Sequence, residues 1–249
     1  MTEPPVRGTP SGAVATIPEG LVAAVVELVG TGAVPLGAYT LAELTVVDAI
    51  VDFLETSPSD DVLAEAVRSL AARQLLVADP ETSQLQVRGD LGITLAFQQR
   101  ATVVLDARVT GTVEREPWRR LVLPQPEQIA LEFAIDALGI HEVGLYTGEE
   151  AWTRLLDWLP TGDAVGDDDS TDLDAALSGA SRSALVTVTH YTTHGSAESA
   201  TNSTDVVLAA KDDSLHIFRR DPGSTAPARV RTDAAGLREF LTALMIAAA

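Results

Sequence analysis

Apolar positions recur at helical intervals in the first hundred or so residues, and from Thr102 onward they alternate. The run over residues 21–29 fits a short helix or a strand. Thr40 and Glu43 have the spacing of a capping box. Leu44, Val47, Ile50, Val51 and Leu54 continue it, which predicts a helix over 41–55. Residues 56–59 break that helix, and Ser59 or Asp60 caps a second one running to about Leu76. Residues 85–88 read as a short strand or a turn, and Leu91 and Leu95 belong to a further helical turn. Beyond Thr102 the period of two predicts strands over 102–109, 119–123, 129–135 and 141–146. Thr147 and Glu150 then form a second capping box, opening a helix that reaches Leu159. The theme returns with strands over 184–191, 206–210, 215–219 and 228–231 and a last helix.

The two strand-to-helix passages can be superimposed. Residues 143–159 lie over residues 228–244, placing Thr147 on Thr232, an offset of 85 (232 − 147). Trp152, Leu155, Leu156 and Leu159 then fall on Leu237, Phe240, Leu241 and Leu244. Strand runs closed by single helices predict an α+β fold: N-terminal helices followed by two pseudo-repeated antiparallel sheet-plus-helix units, which can join into one continuous sheet. The expected organisation is a disordered tail (1–20), helices plus the first unit (21–160), an acidic linker (161–183) and the second unit (184–249).

Charge narrows the choice of partners. There are 17 basic and 36 acidic side chains, a net charge of −19, which repels nucleic-acid backbones. With no cysteine, thiolate zinc sites, disulfides and cysteine nucleophiles are excluded. No apolar run is long enough to span a bilayer, so a cytoplasmic protein is expected, with no membrane partner. Phosphate-binding glycine loops and nucleophile elbows do not occur. His190 and His194 have a metal-like spacing only on a helix, and their β-branched surroundings predict a strand. The aspartates between 163 and 174 lack the order of a calcium loop. No catalytic residue, metal site or cofactor is expected. A helix pair followed by residues 85–88 also allows a winged helix over 41–88, and so a transcriptional regulator or regulatory partner-binding module, although Asp60, Asp61 and Glu65 oppose Arg68 and Arg73 on its second helix.

Three segments carry a family resemblance: V-R-S-L-A-A-R-Q-L-L over 67–76, T-V-V-L-D-A-R-V over 102–109, and the hairpin 129–146 followed by helix 149–159 and Pro160. Together with the matching order of 184–244, they resemble the EspG family of actinobacterial type VII secretion chaperones. The resemblance implies a non-enzymatic cytosolic chaperone or adaptor, monomeric or dimeric. Its client would be a small helical secreted protein or heterodimer of the PE/PPE or WXG type. In residues 215–219, Leu215 and Ile217 share one strand face while His216 and Phe218 share the other. The second half is therefore the expected binding surface, with His190, Thr192, Leu208, His216 and Phe218 as candidate partner-binding residues.

Overall fold

The change of period at Thr102 marks where mainly helical chain gives way to mainly strand, although three strands precede it. A computed structural model describes residues 18–49, 58–79, 85–162, 164–165, 172–191 and 200–246. Its first part comprises α1 (Glu19–Gly30), β1 (Val34–Thr40), α2 (Leu41–Val46), α3 (Asp60–Ala72), the strand pair β2 (Leu76–Ala78) and β3 (Leu85–Val87), and α4 (Gly89–Arg100). Four strands and a helix follow: β4 (Val103–Thr110), β5 (Arg119–Pro124), β6 (Ile129–Ile135), β7 (Ile140–Thr147) and α5 (Gly148–Leu156). Next come β8 (Ala164–Val165) and α6 (Leu173–Gly179). The second unit is β9 (Arg182–Tyr191), β10 (Ala200–Lys211), β11 (Ser214–Arg220), β12 (Ala228–Val230) and α7 (Ala234–Ile246).

The capping box at Thr40 is complete: Thr40 Oγ1 accepts from Glu43 N at 3.2 Å, and Glu43 Oε2 accepts from Thr40 N at 2.9 Å. The helix it opens is shorter than the sequence predicts. Asp48 takes a left-handed conformation (φ 61°), and Ala49 N donates back to Leu44 O at 2.8 Å, closing α2. Residues 50–55 of the expected helix lie outside the described ones. Gln74 (φ 59°) ends α3 in the same way, with Leu75 N donating to Leu70 O.

One continuous sheet runs β1-β7-β6-β5-β4-β9-β10-β11-β12, antiparallel at every step of that path, with β8 adding a parallel contact to β11. The two meanders meet where β4 pairs with β9. One face is covered by α5 and α7 over Leu105, Val186, Val206 and Ile217. On the other face, the helices before β4 cover the first half over Leu121, Phe133 and Val143. There α6 packs Ala176 on Ala209 and Phe218 of the second half. Part of the expected linker is thus built into the fold.

The hydrogen-bonded registers define how the halves correspond. In one half Ala107 is opposite Arg120, Arg120 opposite Ala134, and Ala134 opposite Glu142. In the other, Val186 is opposite Val206, Val206 opposite Arg219, and Arg219 opposite Ala228. Ala107 and Val186 face each other at the centre of the sheet. Five residues past Glu142 stands Thr147, whose Oγ1 accepts from Glu150 N; five past Ala228 stands Asp233, whose Oδ1 accepts from Gly236 N. The helices therefore correspond at an offset of 86 (233 − 147), not 85, and Asp233 rather than Thr232 caps α7. In this register Ala151, Leu155 and Trp158 fall on Leu237, Leu241 and Leu244, and all six are buried.

Candidate functional site

A cleft of about 530 Å³ lies between the start of α5, the sheet and the β5–β6 turn. Leu105, Val122 and Ala130 line it from the sheet, and Ala151, Trp152 and Leu155 line it from α5. The turn contributes Gln125, Glu127 and Gln128, and α1 contributes Val26 and Gly30. Size and lining are those of a site for an apolar guest.

Local contacts hold the entrance. Gly148 N donates to Gln128 O at 2.7 Å, tying the turn to the first residue of α5. A Cβ at Gly148 would sit 3.1 Å from that same oxygen, so only glycine brings the two backbones this close without displacing one. Gln125 Nε2 donates to Phe97 O at 3.1 Å and to Leu123 O at 3.2 Å, anchoring the turn's other end.

Among the described residues, the two charged ones lining the cleft are both acidic. Glu127 is paired with Arg100 through one carboxylate oxygen, while the other is buried without a hydrogen-bond partner. Glu149 receives two bonds from Arg238, of 2.7 and 2.5 Å, joining α5 to α7. Those bonds hold its carboxyl below the usual range. Thr147, the lining hydroxyl, is spent on capping α5. This arrangement can bind and orient a guest, and among the described lining residues no nucleophile stands beside a base.

Elsewhere buried carboxylates are held by arginine. Asp106 accepts from Arg119 at 2.8 and 2.9 Å and from Arg108 at 3.1 Å. Glu43 accepts from Ser69 at 2.7 Å and from Arg73 at 3.0 Å, tying α2 to α3. Arg73 also lies over the ring of Tyr39, 5.2 Å from its centre. Burial pushes the Tyr39 hydroxyl up to about 12. Under α5, Glu132 is gripped by Arg120 and by Arg154, the latter at 3.1 Å. These two guanidiniums lie over the Trp158 and Tyr146 rings at 5.3 and 4.3 Å. Among the described residues no group of His, Cys, Asp and Glu is placed to hold a metal, and no helix is long and apolar enough to cross a membrane.

The residues singled out from the sequence do not converge. Leu208 is fully buried on the α7 face. Phe218 is 4 % exposed beneath α6, and His216, 9 % exposed, has Nδ1 3.3 Å from Arg229. His190 Nε2 is 2.9 Å from Leu244 O at the end of α7. Thr192 lies outside the described residues. In the second half the α7 face is covered and α6 covers Phe218, while Leu185, on the same face as Phe218, stays 36 % exposed; the open cleft is in the first half. Ala130 and Ala151, small residues at positions of large-residue spacing, are the signal that sequence reasoning passed over.

Fold and cleft together define an acidic α+β scaffold of two related halves, one of them open to an apolar guest. No protein-family model and no curated protein matches this chain.

Proposed function

We propose that this protein is a non-enzymatic binding protein, a chaperone or adaptor of the EspG type for helical type VII secretion clients. One observation carries the reading: an acid-rimmed apolar cleft opens under α5, where the corresponding space under α7 in the other half is filled. The buried carboxylates point the same way, since arginine partners already occupy them. Co-expression with a PE/PPE or WXG-type pair and affinity capture tests it. A stoichiometric complex is expected, and failure of every such pair from a type VII locus to co-purify would overturn it.

One observation favours the second reading, a winged-helix regulator. α2 and α3 are followed by the antiparallel pair β2–β3, the order of such a module. Against it, both arginines of the α3 segment are engaged by carboxylates, Arg68 by Glu65 at 2.8 Å and Arg73 by Glu43 at 3.0 Å. DNA retardation at low salt that weakens steeply as salt rises would move the assignment to this reading.

A further inference from the structure

From the cleft we infer that the protein docks an amphipathic helix through it, one presenting bulky aliphatic or aromatic side chains to the cleft and lysine or arginine to its rim. This inference rests on the reading of the protein as a binder of helical segments, and adds where the helix sits and what chemistry it must carry.

The two halves of the protein match position by position. By the register of the sheet, Ala130 corresponds to Leu215 and Ala151 to Leu237. Leu215 and Leu237 are 1 % and 2 % exposed and fill the space beneath α7. In the first half each position lacks the isobutyl group of its counterpart, and there the cleft opens. Large side chains fit this packing scheme, as the second half demonstrates, so the void is not imposed by the fold. An open apolar cleft of this size keeps its lining in contact with water unless something occupies it.

The shape and charge of the lining select the occupant. Five apolar residues from the sheet (Leu105, Val122, Pro124, Ile129 and Ala130) face three from α5 (Ala151, Trp152 and Leu155), an arrangement that suits successive side chains one helical turn apart. Trp152, partly exposed beside this cleft, supplies the aromatic surface that dominates such contacts. Glu127 and Glu149, the charged residues of the described lining, are each paired with an arginine, so the field at the rim is set by the protein around them, which carries −19. A cationic flank on the helix is therefore attracted and an anionic one repelled.

The probe is a synthetic helical peptide of about 14 residues, roughly four turns, with leucine on one face and lysine on the other. A peptide with the same leucines and glutamate for lysine is its control. Trp152 is one of three tryptophans; the other two, Trp118 and Trp158, have their indole N–H groups bonded to Asp136 O and Pro117 O. Binding should shift the emission of Trp152 to shorter wavelength, saturate at one peptide per protein, and leave no such shift in Trp152→Phe. Ala151→Leu and Ala130→Leu, each installing the residue found in the other half, should weaken binding by about tenfold or more. Circular dichroism confirms folding of each, and either variant alone suffices should the other fail to fold. Unchanged affinity in the folded variant, equal binding of the glutamate peptide, or no binding at all would overturn the inference. A lysine peptide held by diffuse attraction to the acidic surface alone would show the first of these results. If the peptide binds as described while no secretion client co-purifies, the chaperone reading fails and the cleft assignment stands. The reverse outcome removes the cleft as the docking site, and the co-purified client then supports the chaperone reading in its place.

Discussion

Replacing Glu132 alone should destabilise the protein by about 3–5 kcal/mol, whereas replacing the whole triad it belongs to should cost little. The register that pairs the two halves sets Arg120 against Val206, Glu132 against Ile217 and Arg154 against Phe240. One half thus uses three charges where the other uses three apolar side chains, under corresponding helices. The Glu132 side chain is 2 % exposed, and those of Arg120 and Arg154 are 12 % and 37 % exposed. The Nε of Arg120 is already buried without a partner. Glu132→Ile leaves Arg120 as an uncompensated buried cation, and that accounts for most of the loss. The triple variant Arg120→Val, Glu132→Ile, Arg154→Phe removes every charge together. It gives up two guanidinium–ring contacts, worth about 0.5–2 kcal/mol each, and gains apolar burial of similar size. Its stability should fall within about 2 kcal/mol of the wild type, on either side. Urea unfolding of the wild type, the three single variants and the triple variant, compared at equal m-values, measures this. A Glu132→Ile variant within about 1 kcal/mol of the wild type would refute the reasoning, as would a triple variant no more stable than that single one.

Two further outcomes follow from local geometry. His141 is 4 % exposed, and burial lowers its pKa below the ordinary 6.5. The unfolded chain then takes up a proton that the folded one refuses, so this contribution is present above pH 6.5 and is lost as the pH falls below it. A urea midpoint falling just as steeply with acid in His141→Gln would contradict this. At the start of α7, Asp233→Ala should cost about 0.5–2 kcal/mol and Thr232→Ala no more than about 0.5. Thermal melts showing the larger loss for Thr232→Ala would restore the offset of 85 (232 − 147) in place of the one the caps define.

Much of the sheet was legible because alternation is a strong signal wherever both faces are covered unequally. The strands expected over 102–109, 119–123, 129–135 and 141–146 are β4 to β7 within a residue or two at each end. Three kinds of feature were not legible. β1 contains Pro35 and Gly37, which read as turn residues, yet it pairs along β7 through a register shift between them. β10 begins well before residue 206, because Asn202, Ser203 and Thr204 extend the strand with no apolar pattern to announce it. Helix ends at Asp48 and Gln74 use left-handed residues that are not glycine, so no punctuation marks them. The slip of one residue in the repeat has a chemical cause. Threonine and aspartate are both good caps, Asp233 directly follows Thr232, and aligning like with like picked the wrong one. The cleft was hidden for a related reason. A missing side chain leaves no motif, and Ala130 and Ala151 become informative only when the register shows leucines in their places.

The triad and the cleft are both confined to the first half and both lie under α5, which suggests that one serves the other. With alanines at 130 and 151, α5 could settle toward the sheet and close the space, as helices do over small residues. Glu132 opposes this by fixing the distance between the strand and the helix: Arg120 reaches it from β5, and Arg154 reaches it from α5 with Nε at 3.1 Å. Trp158 Nε1, bonded to Pro117 O at 2.9 Å, pins the far end of the helix. The hypothesis is that these charge pairs, which need close donor–acceptor geometry, hold α5 at a distance that apolar side chains in their place would not maintain. On this hypothesis the triple variant keeps its stability and loses its cleft. It should unfold at close to the wild-type urea concentration yet bind the leucine–lysine peptide at least about tenfold more weakly. Wild-type peptide affinity in a stable triple variant would sink the idea, and the triad would then be no more than one of two interchangeable ways of packing this helix.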